Sequence, residues 1–149
     1  FLILIGALVF SNLMGFIRFP AALQQFVAGL GVSPGLVIAA ICALYVLLGT
    51  FFEELSMILL TIPIFFPVVL ALGIDPIWFG VLVVLTLEMG LISPPVGLNV
   101  FIVKSVAPAV PLGRIFVGVL PFWLAMLATL ILLVAFPQIS LMLPNTMIR

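Results

Sequence analysis

The chain has 149 residues, 67% of them hydrophobic and 5% charged, and its four basic and four acidic side chains cancel to a net charge of zero. A soluble domain carries about a quarter charged residues, so this composition excludes a solvated surface around a core and predicts an integral membrane protein. The lack of any basic cluster argues against nucleic-acid binding, and the absence of histidine beside a single cysteine, Cys42, removes disulfides, zinc sites, histidine-ligated haem and the common catalytic triads.

With no water in lipid to satisfy the backbone, the apolar runs must be helical, which gives an all-α membrane protein. Residues 1–17 form a hydrophobic span that would make about 25 Å of helix, enough to cross most of the hydrocarbon core. The run starts without an initiator methionine or a basic leader, which predicts an internal span of a longer polypeptide and not a signal peptide. Arg18 and Pro20 end it. Residues 19–34 are milder, with Gln24 beside Gln25 and the turn "VSPG" at 32–35, and predict a short interfacial arm.

Residues 35–73 carry one interruption, "GTFFEE" at 49–54. As a single helix the apolar part would be roughly 57 Å long, nearly twice the hydrocarbon thickness. It must turn back, either as two spans or as a re-entrant hairpin with its tip near 49–56. "GIDP" at 73–76 is a turn signal. Residues 77–106 would make roughly 45 Å of helix, which fits one tilted crossing with a break inside. That break is "EMGLISPPVGLN" at 88–99. "APAVPLG" at 107–113 is a loop, residues 115–136 form a further span in which Pro121 predicts a kink, and the tail 137–149 leaves the membrane. A hairpin and a pair of spans both return to their starting side. Arg18, Asp75 and Arg149 therefore share one side and Lys104 and Arg114 the other, so basic residues do not orient the chain.

Two polar islands hold nearly all the unusual residues: Gly49 to Met57, and Glu88 to Asn99. Non-helical backbone at membrane depth is tolerated where it is packed in protein or lines a cavity. Discontinuous helices there free carbonyls that can coordinate sodium, and their N-termini can face an anion. Pro94 and Pro95 supply the break, Gly90 and Gly97 permit close approach, and Thr50, Ser56, Ser93 and Asn99 offer side-chain oxygens. Plainer readings stand beside this one. Glu53 and Glu54 could form a solvated turn, "SPPVG" a proline kink, and Glu88 the cap of a polar network. Lys104 reads as a snorkelling side chain, Asp75 as a turn residue, and Cys42, Met57 and Met126 as packing.

Taken together, "LLGTFFEELSMILLTIPIFFPVVLALGIDPIWFGVLVV" and "LEMGLISPPVGLNVFIVKSVAP" resemble the large membrane subunit of TRAP (tripartite ATP-independent periplasmic) transporters, over about residues 10–144. That subunit is longer than this chain, which looks like its C-terminal portion. The resemblance implies one of two inverted repeats of an ion-transporter fold, with a re-entrant hairpin tip at 49–57 and a broken helix at 93–99. It implies a hairpin entering from the periplasm, with Arg18 and Arg149 outside and Lys104 and Arg114 in the cytoplasm. Gly49 and Thr50 match the tip, Glu53 stands where aspartate is common, and Ser93 where threonine is common; Pro94, Pro95, Gly97 and Asn99 match directly.

The ion- and substrate-binding set expected from the resemblance is Gly49, Thr50, Glu53, Ser56, Ser93, Pro94, Pro95, Gly97 and Asn99. Thr50, Ser93 and Asn99 would assist backbone carbonyls in holding sodium, with no organic cofactor. No arginine falls mid-span, which leaves the solute carboxylate to the rest of the subunit. The function implied is sodium-driven symport of a carboxylate-bearing solute, such as a C4-dicarboxylate or sugar acid, by an elevator motion in the bacterial inner membrane. The partners implied are a periplasmic solute-binding protein and a small membrane subunit. A channel-like or structural subunit is the alternative. An intramembrane enzyme has only Ser93 with Lys104 to call on, a pair eleven residues apart across a break.

Overall fold

The computed structural model describes residues 1–147, apart from the side chain of Asn145; Arg149, expected on the outer side, lies outside the described residues. Among the described residues eight helices follow one another: α1 (Leu2–Phe16), α2 (Phe19–Gly29), α3 (Pro34–Gly49), α4 (Glu54–Ala71), α5 (Pro76–Leu91), α6 (Leu98–Val106), α7 (Leu112–Ala135) and α8 (Gln138–Met147). By length and composition α4 and α7 can each cross a membrane, and α1 with α2, bent by 58° at their junction, would make a third span. The bend sits at Arg18, whose backbone is left-handed with φ of 53°. Helices α3 and α5 have 16 residues each, about 24 Å, which falls short of a hydrocarbon core of about 30 Å. The chain is a helical membrane protein.

Local chemistry fixes most helix starts. The side chains of Ser33, Glu53 and Asp75 accept hydrogen bonds from the first-turn N–H groups of α3, α4 and α5, and Pro34 and Pro76 open α3 and α5 where no N–H is needed. An isolated proline inside an apolar run need not end the helix. Helix α4 runs through Pro63 and Pro67, and α7 through Pro121.

Helix α5 lies at the centre, packed most extensively on α3 and also on α7, α4 and α8. Tyr45, Phe79, Leu82, Leu87 and Met89 are fully buried in the resulting core. Thr86 is buried with them, its hydroxyl turned back onto the carbonyls of Leu82 and Val83 at 2.9 Å. Lipid tails are as apolar as leucine, so close packing and interhelical hydrogen bonds must hold such helices together. Among the described residues three side-chain bonds join one helix to another. Tyr45 donates to Thr61 Oγ1 at 2.6 Å, because the Thr61 hydroxyl proton goes to the Met57 carbonyl, and so ties α3 to α4. Gln24 Nε2 reaches the Pro67 carbonyl at 2.6 Å and ties α2 to α4.

The third bond closes a gap that the sequence creates. Leu133 O would ordinarily accept from the N–H four residues on, but that residue is Pro137. Trp78 Nε1 on α5 takes the place of that donor at 2.8 Å, in a buried position. Trp78→Phe removes the donor and keeps most of the ring, and is expected to destabilise the full-length protein by about 1–3 kcal/mol. Thermal unfolding in detergent measures this; an unchanged midpoint would show that the carbonyl finds another donor.

Candidate functional site

The two polar islands, 41 residues apart at Gly49 and Gly90, meet in space. A Cβ built on Gly90 would lie 2.6 Å from Gly49 Cα and 2.8 Å from its carbonyl carbon, so the backbones of α3 and α5 touch where neither has a side chain. Beyond this contact, Gly97 N donates to the Thr50 carbonyl at 3.4 Å. The tip of the α3–α4 pair thus packs directly on the interruption between α5 and α6.

The interruption follows from two missing donors. Pro94 and Pro95 have no N–H, which leaves the carbonyls of Gly90 and Leu91 without their i+4 partners. Gly90 O instead takes the N–H of Ser93 at 2.9 Å, and that turn leaves Met89 O without its own partner. The Ser93 hydroxyl supplies it, donating to Met89 O at 2.6 Å. The Pro94–Pro95 peptide is cis, and Gly97 adopts φ of +62° to start α6. A Cβ at Gly97 would sit 3.0 Å from Ser93 O and 3.4 Å from Leu91 O, so both carbonyls lie close against the Gly97 backbone.

Thr50 and Ser93 are buried. Thr50 Oγ1 donates to Leu47 O at 2.7 Å, and Ser93 Oγ accepts from the indole of Trp123 on α7 at 2.7 Å. Both side chains, with Pro94 and Trp123, line an open cavity of about 570 Å³ between α3 and α7 whose remaining wall is apolar. Gly49, Thr50, Ser93, Pro94 and Gly97 are therefore gathered at one place. The other expected residues have different surroundings. Glu53 is exposed and caps α4, its carboxylate accepting from Leu55 N at 3.1 Å, Ser56 N at 3.0 Å and Ser56 Oγ at 2.9 Å. Pro95 is exposed in the interruption, and Asn99 is exposed on the first turn of α6, with no side-chain hydrogen bond among the described residues.

Glu88 is exposed on α5, in an apolar groove against α7 with Val84, Met126 and Thr129. Lys104 Nζ donates to the carbonyls of Pro108 and Val110 at 2.7 and 2.8 Å and so fastens the loop after α6. Cys42 belongs to the core and Asp75 caps α5. Trp123 is the residue that spacing did not single out. Its partner lies 30 positions away, and the only hint in the sequence is an indole N–H in an apolar run, which needs an acceptor.

Among the described residues no three acidic, histidine or cysteine side chains gather, and the buried side-chain oxygens where tip and interruption meet are the hydroxyls of Thr50 and Ser93. The last carbonyls of a helix have no partner in that helix, and they carry the negative end of its dipole. Here the C-terminal ends of α3 and α5 are brought together, with the start of α6 beside them.

Comparison with known proteins bears on the whole chain. Residues 1–139 match the family model described as Tripartite ATP-independent periplasmic transporter, DctM component. The C4-dicarboxylate TRAP transporter large permease protein DctM of Pseudomonas aeruginosa is 37% identical over 143 residues, which cover 96% of this chain and 33% of that protein. The sialic acid TRAP transporter large permease protein SiaM of Vibrio cholerae is 34% identical over 144 residues, 97% of this chain and 34% of that protein. The isethionate TRAP transporter permease protein DctMQ of Oleidesulfovibrio alaskensis is 35% identical over 135 residues, 91% of this chain and 21% of that protein. The chain spans about a third of the length of the first two. With nearly its whole length matched, the chain belongs to the DctM family, the large permease component of the tripartite ATP-independent periplasmic transporters.

Proposed function

We propose that the chain supplies one of two inverted repeats of a sodium-driven symporter in the bacterial inner membrane, with α3 and α4 as a re-entrant hairpin and α5 and α6 as a broken helix. In this reading the hairpin tip and the interruption share a sodium ion. The observation that carries it is the packing of Thr50 on Gly97, with the Leu91 and Ser93 carbonyls beside the same glycine. Half-helix ends of this kind, with unwound carbonyls, are how transporters coordinate sodium in mid-membrane. Carbonyls of 49–56 and 91–97 hold the ion, Thr50 and Ser93 add hydroxyl oxygens, and Asn99 reaches it by turning inward. Glu53 and Ser56, bonded to each other, fix the start of α4 at the tip.

The solute is an organic carboxylate, a class supported by relatives named for C4-dicarboxylates and sialic acid. The family's tripartite description supports two partners, a periplasmic solute-binding protein that delivers the solute and a small membrane subunit. The tip and interruption are packed backbone to backbone, which suits a rigid unit that carries ion and solute together in an elevator motion.

Uptake by the full-length transporter, reconstituted in proteoliposomes with its partner proteins, tests the reading. Solute accumulation is expected only with an inward sodium gradient. Sodium-independent conductance without accumulation would mean a channel-like subunit instead.

A further inference from the structure

The structure assigns Trp123 a role beyond packing: it is the positioning residue that aims the Ser93 hydroxyl oxygen at the ion. This inference rests on the sodium reading above and adds to it a residue on α7, a helix that supplies none of the proposed ligands.

A serine hydroxyl has one proton and two lone pairs. The Ser93 proton is committed to Met89 O at 2.6 Å, since the Ser93 N–H has gone to Gly90 O and cannot serve that carbonyl. One lone pair is committed to the Trp123 indole at 2.7 Å. A single lone pair remains, and its direction is set by the other two bonds. Without the indole only the bond to Met89 O would hold the side chain, and the oxygen could turn about it. The indole also has little choice of partner. Ser93 and Thr50 are the hydroxyls lining its cavity, and the indole N–H goes to Ser93 at 2.7 Å. An unpaired indole N–H in an apolar wall would be costly, so the bond from α7 is held in place. Trp123 never touches the ion; it decides how the touching oxygen is presented.

The test is sodium half-saturation of solute uptake by the full-length transporter, reconstituted with its partner proteins, in wild type, Ser93→Ala, Trp123→Phe and the double variant. Trp123→Phe is expected to raise the sodium concentration at half-saturation by about three- to tenfold, the worth of one hydrogen bond. Solute half-saturation at saturating sodium should stay at the wild-type value, which a general loss of packing would not allow. The double variant should be no worse than Ser93→Ala, because the two residues act through one oxygen.

If Ser93→Ala itself leaves sodium half-saturation unchanged, the sodium assignment at Ser93 falls, and the inference with it. If Ser93→Ala shifts it and Trp123→Phe does not, the assignment stands and the positioning role is overturned. Additive effects in the double variant overturn the positioning role as well. Should the phenylalanine variant fail to assemble, replacing Trp123 by the benzothienyl analogue of tryptophan keeps the ring shape and deletes only the N–H. The same outcomes then decide.

Discussion

Gly90→Ala is expected to destabilise the full-length protein by about 1–3 kcal/mol, the usual cost of forcing a methyl into a packed interface, and to cut transport by at least about tenfold. The new Cβ would stand 2.6 Å from Gly49 Cα, and backbone cannot rotate away as a side-chain end can. One of the two helices must shift, and the tip moves off the interruption. The same helix offers an internal control. Gly80 has nothing within 4 Å of its Cβ position, so Gly80→Ala should be neutral. Gly49→Ala falls between the two, with its nearest neighbour, Gly90 Cα, at 3.1 Å. Thermal unfolding of the three variants should follow this order. A Gly90→Ala protein that melts with Gly80→Ala would mean that α3 and α5 do not touch there.

Replacing Pro94 and Pro95 together by alanine should leave stability intact and still damage function. Two N–H groups return, the Gly90 and Leu91 carbonyls regain i+4 donors, and α5 can run on toward α6. Alanine is favoured over proline by about 3 kcal/mol in a helix interior, so once the helix runs on through 94 and 95 the variant should melt no lower than wild type. The carbonyls that lay against Gly97 would then be spent inside a helix, and sodium dependence should weaken by at least about tenfold. Undiminished stability with weaker coupling is a signature that misfolding cannot imitate.

Much of the fold is legible in the sequence, because lipid leaves the backbone few choices. Length arithmetic requires the apolar run 36–73 to turn back, and the residues themselves, "GTFFEE" and "EMGLISPPVGLN", mark the two interruptions; α3 ends at Gly49, α4 begins at Glu54, α5 ends at Leu91 and α6 begins at Leu98. The starts of α3 and α5 follow from Ser33-Pro34 and Asp75-Pro76. Prolines are read less well one at a time. Pro63, Pro67 and Pro121 each remove one donor within a long helix that continues, whereas Pro94 and Pro95 remove two consecutive donors and the helix stops.

The residues of the candidate site are visible in the sequence, but their partners are not. Thr50 with Gly97, Gly49 with Gly90 and Ser93 with Trp123 are pairings between separate helices, and no spacing in the chain encodes them. Glu53 and Ser56 look like ion ligands in a polar island, and at three residues apart they also fit the N-terminal cap that they form. Glu88, the most conspicuous charge in the sequence, is exposed on α5 away from the cavity that Thr50 and Ser93 line.

Equilibrium binding of radiolabelled sodium to the purified full-length protein, in wild type and in the Pro94→Ala/Pro95→Ala variant, tests the tip-and-interruption site most directly, since it needs neither solute nor partner. The variant should bind measurably less sodium at saturation while remaining folded. Equal stoichiometry and affinity in the two proteins would contradict a sodium site at the interruption.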